Sequence, residues 1–419
     1  MEFVELKEKE FTGFVNKNNQ ANFMQTVELG EFKKNYNKEI FYVGVKDKGK
    51  VIAATLLEVT RTIMKKGIFY APRGFIMDYH DVELLTFFTK EIKDFVKKHN
   101  GFKIVLDPNV IYRFREANGD LLENDKPDDE SINNLKALGY KHFGFNNFIE
   151  TIQVRFAYKL ELNEPYEEKL KQFSKSTRKN IESCYKKGLS VRIGNENDLA
   201  SMQELFSETA RRKDFSFRDL EYYKKMYQYM HDYMTIYIAY VDPAVYFDST
   251  KELLDNEIKN NEMITDKLNS DMVGNKLKNQ KEVSDNLMKK YSDELEKAKK
   301  FKKDFPNGRD IACLLSLRSG DDYLTLTSGS MEEYHYFTPK YAMYDRHIKD
   351  AYKEKFKYCN FYGIPGVFVK ENNPMYGVYE FKRGFAGNVV EYIGEFTLPV
   401  TGFNKVYNSL HKVKSVIKK

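Results

Sequence analysis

Between Phe247 and Lys303 the chain carries one glycine, Gly274, and no proline, in a run rich in Lys, Glu, Asp and Asn. So long a stretch without helix breakers and without strand-like alternation is constrained to helix. Leu254, Ile258, Asn261, Thr265, Leu268 and Met272 recur at alternating steps of four and three, and Leu277, Lys281, Ser284, Met288, Tyr291, Leu295 and Ala298 continue the pattern past Gly274-Asn275. A turn near the midpoint predicts two helices folded back on each other as an antiparallel coiled coil, held weakly because its seam contains polar residues. One long solvated helix is the competing reading, and the turn-forming pair disfavours it. TIYIAYVD leads into the run and Pro306-Asn307-Gly308 leads out, so the arm interrupts a sheet connection.

The flanks read as α+β. A chain of 419 residues is too long for one ordinary core. FYVGV and VIAATLLEV, parted by KDKGK, and then GIFYAPRGFIMDY read as strands. Leu84, Leu85, Phe88, Ile92 and Phe95 share one face of the next helix, and KIVLDP returns as a short buried strand. After residue 151 a similar cycle begins: SVRIG is a strand, DLASMQELFSETARRK and YYKKMYQYM are helices, and TIYIAYVD, IACLLSLRSG, DYLTLTSGS and KYCNFYGI are strands. The order of elements suggests two copies of one unit, although the halves share too little sequence to establish a repeat.

With 30 Tyr and 32 Phe the chain has ample material for real cores, and 68 basic against 62 acidic residues permit a polyanionic partner without requiring one. The start, MEFVELKEKEF, lacks the basic-then-apolar order of a signal peptide, and no stretch reaches membrane-spanning length; a cytoplasmic protein is expected. Cys184, Cys313 and Cys359 are scattered, as are the seven histidines, so neither a disulfide framework nor a metal centre is expected.

Three segments could carry chemistry. FSKSTRKNI, followed by Tyr185-Lys186-Lys187-Gly188, is a Ser-capped, Gly-terminated helix whose cations could meet phosphates, or form an ordinary solvated face. Arg73-Gly74 and Asp107-Pro108 close two strands that would be neighbours; they could line a site or merely pin two loops. Gly363-Ile364-Pro365-Gly366 and Phe381-Lys382-Arg383-Gly384-Phe385 combine close-approach glycines with a lysine beside an apolar ring, a setting that strengthens its charge, although hairpins also produce such patterns.

In their shared order, FMQTVELGEFKKNY, FYAPRGFIMDY, VLDP, TIQVR, FSKSTRKNI with KKGL, FSFRDLEYYKKMY, the helical insertion, NFYGIPG, and GVYEFKRGF with EYIGEF resemble the FemABX family, the aminoacyltransferases of the Gram-positive peptidoglycan bridge. The resemblance implies two acyltransferase-like (GNAT-type) domains with the cleft in and beside the first. Residues 1–151, completed by 393–419, would form one domain, 152–246 with 307–392 the other, and 247–306 the arm. It implies Lys33, Tyr36, Arg73, Ser216, Arg218 and Tyr222 as precursor-binding residues, with Lys382, Phe381 and Asp107 as catalytic ones. Val154 stands where relatives often carry Pro, and Lys103 where some carry an apolar residue.

The implied reaction is aminolysis of an aminoacyl-tRNA ester by an amine of the stem peptide or growing bridge, on UDP-MurNAc-pentapeptide or a lipid-linked precursor. The ester is already activated, so no cofactor beyond the charged tRNA is expected, and the site must supply alignment and oxyanion stabilisation. Two rivals stand beside it. One is a CoA-dependent N-acyltransferase, against which the missing basic-Gly pyrophosphate loop counts. The other is a non-catalytic tRNA-binding coiled-coil protein, against which the balanced charges of the arm count. The arm serves either tRNA contact or oligomerisation. The last segment, with Val406, Tyr407, Leu410, Val413 and Ile417 against Lys412, Lys414, Lys418 and Lys419, reads as a basic amphipathic helix that packs on the first domain or touches the cytoplasmic membrane peripherally.

Overall fold

The computed structural model describes residues 1–148, 150–213, 217–269 and 274–409. The first part comprises β1 (Glu2–Glu5), α1 (Glu8–Val15), α2 (Val27–Lys34), β2 (Glu39–Asp47), β3 (Lys50–Arg61), β4 (Gly67–Ala71), α3 (Val82–Lys98), β5 (Gly101–Leu106), β6 (Ile111–Arg115), α4 (Asp129–Ala137) and β7 (Lys141–His142). Then come β8 (Phe156–Glu161), α5 (Tyr166–Gln172), α6 (Lys175–Lys186), β9 (Leu189–Gly194), α7 (Leu199–Lys213), α8 (Leu220–Met230) and β10 (Met234–Val241). The arm helices α9 (Pro243–Asn269) and α10 (Asn275–Asp304) precede β11 (Arg309–Ser319), β12 (Asp322–Ser330), α11 (Pro339–Lys353), β13 (Tyr358–Gly363), α12 (Tyr376–Arg383), β14 (Asn388–Tyr392) and β15 (Phe396–Pro399).

Two mixed sheets run β1-β2-β3-β4-β5-β15-β7 and β6-β14-β8-β13-β12-β11-β10-β9. In each, a series of antiparallel pairs leads to one parallel pair, β4–β5 or β12–β13. A parallel pair needs a crossover, and a helix supplies it both times, α3 in the first sheet and α11 in the second. Two helices also intervene between the first and second strands of each series, α1 and α2 or α7 and α8. The faint repeat of the sequence is thus a repeated topology, two α+β units built on the same order of strands and helices.

The sheets exchange strands. β8 precedes the second unit and sits between β13 and β14, while β15 follows that unit and takes the same place in the first sheet, between β5 and β7. β6 lies within residues 1–151 yet pairs with β14 at the edge of the second sheet. Glu391 on β14, only 4% exposed, accepts hydrogen bonds from Arg155 and from Nε of Arg115 on β6 at 2.8 Å. Such a buried carboxylate is tolerated only while its cations stay in place.

Local chemistry sets the element ends. Asp81 caps α3 by accepting from the amide of Leu84, and Leu84, Leu85, Phe88, Ile92 and Val96 form its buried stripe. Phe95, expected in that stripe, lies at its margin against Phe41 at 5.3 Å. The strand expected through GIFYAPRGFIMDY stops at Ala71, because Pro72 has no amide to donate and Arg73 turns left-handed at φ 53°. A separate core joins the units: Phe23, Leu29 and Phe32 pack with Met202, Phe206, Tyr223 and Met226 beneath α2 and α8.

The arm is an antiparallel helical pair. Asn261 Nδ2 donates to Ser284 Oγ at 3.0 Å, and the Tyr246 hydroxyl donates to Glu294 at 2.9 Å near the base. Leu254, Ile258, Leu277 and Leu295 are only half-buried, whereas at the root Tyr246 packs on Phe337 at 4.7 Å and Ala298 and Phe301 are buried. Met272 falls outside the described residues. At the other end Phe403 and Tyr407 pack on Phe102 at 5.1 and 5.0 Å, and the expected helix beyond Ser409 lies outside the described residues.

Phe396 on β15 is fully buried and stacks on His142 at 4.7 Å. Phe396→Ala is expected to lower the unfolding free energy by about 3–5 kcal/mol. The shift of the urea midpoint at unchanged slope measures it.

Candidate functional site

Lys382 sits on α12, 6% exposed, in the wall of a cavity of about 470 Å³. Its Nζ donates to the carbonyls of Gly363 at 2.8 Å and Tyr362 at 3.4 Å. Burial, reinforced by the positive charge of Lys340 on α11, brings its ammonium down to about 7. Thr325, Thr327 and Tyr344 also line the cavity, as does Phe381, whose ring meets those of Tyr341 at 5.1 Å and Tyr344 at 4.9 Å.

The NFYGIPG segment shapes the opposite wall. Tyr362 is left-handed at φ 60°, and its amide donates to Asn360 Oδ1 at 2.8 Å, while Asn360 Nδ2 in turn donates to Asp322 at 2.7 Å. Gly363 is required by close approach, because a Cβ there would stand 2.6 Å from Val154 Cγ1. Val154 lines the cavity, and its carbonyl accepts from the Arg73 guanidinium at 2.8 Å.

Asp107 and Arg73, expected to be neighbours, do meet: Asp107 Oδ1 accepts from the Arg73 amide at 2.7 Å. Asp107 Oδ2 accepts from the Tyr70 hydroxyl at 2.7 Å, Tyr70 accepts from Gln153 at 3.2 Å, and Gln153 accepts from the Tyr362 hydroxyl at 3.0 Å. Asp107 is therefore set back from the cavity and linked to it through a hydrogen-bonded chain. Burial lifts its carboxyl to about 6 against the opposing pull of Arg73, Tyr70 and the Arg73 amide. The Arg73 guanidinium lies 4.5 Å from the Tyr392 ring.

Lys33, Tyr36, Arg218 and Tyr222 gather elsewhere, where α2 meets α8. Tyr222 packs on buried Phe32 at 5.1 Å and on Tyr36 at 5.7 Å, with the Arg218 guanidinium 5.3 Å from its ring. Lys33 faces Glu58 on β3 at 3.6 Å. Asp219 caps α8 by accepting from the Tyr222 amide, which places Arg218 just ahead of the helix. Phe217, the neighbour of Arg218, lines the Lys382 cavity, so the two groups adjoin. Ser216 lies outside the described residues.

The cleft expected in and beside the first domain is, at the Lys382 cavity, walled mainly by the second. Lys103 is remote from it, with its ammonium 5.8 Å from the Tyr407 ring. Lys340, Tyr362 and Gln153 were missed by sequence reasoning. Tyr362 stood inside a segment singled out for its glycines, whereas Lys340 follows Pro339 at the start of α11 with no local pattern to mark it. Among the described residues no group of His, Cys, Asp and Glu side chains is placed to hold a metal ion, and no helix is long and apolar enough to cross a membrane.

Between about pH 7 and the unfolded-lysine range near 10.4, the unfolded chain keeps a proton that native Lys382 has released, so this group makes stability rise with pH across that window. Lys382→Met is expected to flatten the rise. Urea unfolding of both proteins at pH 7, 8.5 and 10 measures it, and parallel curves would contradict the buried amine.

The protein is 29% identical to the aminoacyltransferase FemA of Staphylococcus epidermidis, over 99% of this chain and 100% of that one. It is 26% identical to the aminoacyltransferase FemA of Staphylococcus aureus, over 100% of both chains. A crystal structure of FemX matches with a TM-score of 0.76 at 23% identity, covering 95% of this chain and 97% of that one, a likeness of fold. The model of the FemAB family matches residues 6–412, nearly the whole chain: the protein belongs to the FemAB family.

Proposed function

We propose that this protein is an aminoacyltransferase that moves an amino acid from aminoacyl-tRNA to an amine of a peptidoglycan precursor, either the stem peptide or a bridge already begun. The observation that carries the chemistry is the buried Lys382 amine, brought to about 7 at the wall of a roughly 470 Å³ cavity. A group titrating there can both hold and release a proton at neutral pH.

In the reaction the acceptor amine attacks the ester carbonyl, a C–N bond forms, the ester C–O bond breaks, and the amine's proton ends on the departing ribose oxygen. Lys382, oriented by the carbonyls of Tyr362 and Gly363, faces the developing oxyanion or the leaving oxygen. Lys340 adds positive charge to the same cavity. No enzyme nucleophile is required, and the thiols do not offer one: Cys184, Cys313 and Cys359 are buried, and burial raises each of them, Cys184 to about 12. Asp107 acts here as a positioning residue rather than as the proton acceptor, because it reaches the cavity only through Tyr70, Gln153 and Tyr362. Lys33, Arg218 and the rings of Tyr36 and Tyr222 supply cations and flat faces for the precursor's phosphates and sugar or base.

Incubating the purified protein with each charged tRNA and each precursor form, nucleotide-linked or lipid-linked, is expected to give one product heavier by one aminoacyl residue. No mass gain in any combination would refute the proposal. Lys382→Met is expected to lower kcat by about 100- to 1000-fold with the fold retained by circular dichroism.

A further inference from the structure

The basic segment of α6 is the motif that the proposed chemistry leaves unused. Thr177, Ile181 and Cys184 form the buried side of α6, and Lys175, Arg178, Lys179 and Lys186 stand exposed against one acid, Glu182. The helix ends at Gly188, left-handed at φ 75°, where a Cβ would stand 2.8 Å from the Tyr246 amide nitrogen, so the end of α6 is pressed against the root of the arm. Between α6 and the arm lies a cleft of about 210 Å³, lined by Lys179, Lys186, Lys187, Lys290, Tyr291 and Glu294 among others.

The arm's charges, balanced in sequence, are segregated in space. α10 carries ten lysines against six acids, while α9 carries three lysines against six acids. Both arm helices border the α6 cleft, α9 with Thr250 and Leu253 and α10 with Lys290, Tyr291 and Glu294, so the charged side chains that the arm brings to it come from the basic helix. At its other end α6 begins beside a second cavity lined by Ser174, Ser176 and Thr177, together with Gly377 and Phe381, and these last two residues also line the Lys382 cavity. A basic track about 18 Å long, the length of α6, thus runs from the Lys382 cavity to α10. Lys186 is paired with Glu182 and Lys187 with Glu294, but Lys175, Lys179 and Lys290 have no acidic partner within ion-pair distance among the described residues.

We infer that this track, α6 with the adjoining part of α10, docks the phosphate backbone of an RNA whose 3′ end delivers its amino acid to the Lys382 cavity. The inference rests on the transfer reading above for the identity of the RNA, and on charge and continuity for its path. An anionic membrane would meet the same charge, but peripheral insertion needs exposed apolar side chains; α6 exposes no aliphatic one, and its exposed ring, Tyr185, is held by its hydroxyl to Asp345 at 2.6 Å. An exposed row of cations that leads into a lysine-lined cleft suits a flexible polyanion better than a flat sheet of headgroups.

The test compares two triple variants of the full chain. Lys175→Gln/Lys179→Gln/Lys290→Gln removes the unpaired cations of the track, and Lys251→Gln/Lys259→Gln/Lys267→Gln removes the three lysines of α9. Fluorescence anisotropy with deacylated tRNA over a salt series is expected to show weaker binding for the first variant only. Its slope of log affinity against log salt should flatten by about 0.7–0.9 for each phosphate that the protein no longer neutralises. With charged tRNA its KM should rise while kcat holds. Unchanged RNA affinity and slope, or equal losses in both variants, would overturn the inference. So would weakened binding to phosphatidylglycerol vesicles with RNA affinity intact. If the unsubstituted protein transfers nothing while the RNA difference persists, the transfer reading fails and the RNA track stands.

Discussion

A sheet edge is a row of unpaired backbone donors and acceptors, and in this protein each sheet is completed by a strand from the other half of the chain. β15, the last strand, fills the gap between β5 and β7, and β6, an early one, closes the far edge of the second sheet against β14. Glu391 adds a charge constraint to this exchange, since its buried carboxylate is satisfied only when β6 and the segment entering β8 bring Arg115 and Arg155 to it. The two α+β units therefore share strands, and the core between α2 and α8 packs one against the other.

That packing places the chemistry. The Arg73–Asp107 pair of the first unit reaches across Val154 and Gln153 to Tyr362 of the second, whose carbonyl is one of two that hold the Lys382 amine. A lysine so placed is shielded from water and close to a second cation, and both effects favour its neutral form. The cost of burying it is met by hydrogen bonds to main-chain carbonyls, which a neutral amine can donate to as well as an ammonium can. Lys33 and Arg218 lie by contrast where α2 meets α8, Lys33 half-buried beside Glu58 at 3.6 Å and Arg218 exposed.

The arm shows how tertiary structure changes the meaning of a composition. Read along the chain, its lysines and acids nearly cancel, and that balance argued against a nucleic-acid footprint. Once α9 and α10 fold back on each other, the acidic and basic excesses belong to different helices, and the basic one brings Lys290 to the cleft beside α6. The weak, partly polar seam is consistent with an arm fixed at its root by Tyr246, Phe301 and Phe337 more than along its length.

The sequence by itself determined what depends on local periodicity and on turn chemistry: the helices α3, α7 and α8, the long arm pair about Gly274, and the hydrophobic strands β2, β3, β10, β11 and β12. Its motif order also determined the family, and with it the residues worth locating. It did not disclose β6, β14 or β15, short strands that owe their existence to partners far away in the chain and carry no strong alternation of their own. Nor could it show that Asp107 is set back while Lys382 is in the cavity wall, because both stand in similar Gly- or Pro-flanked segments. Only the tertiary structure decided this, since burial, the proximity of Lys340 and the left-handed turn at Tyr362 are properties of elements brought together across the fold rather than of any one stretch of chain.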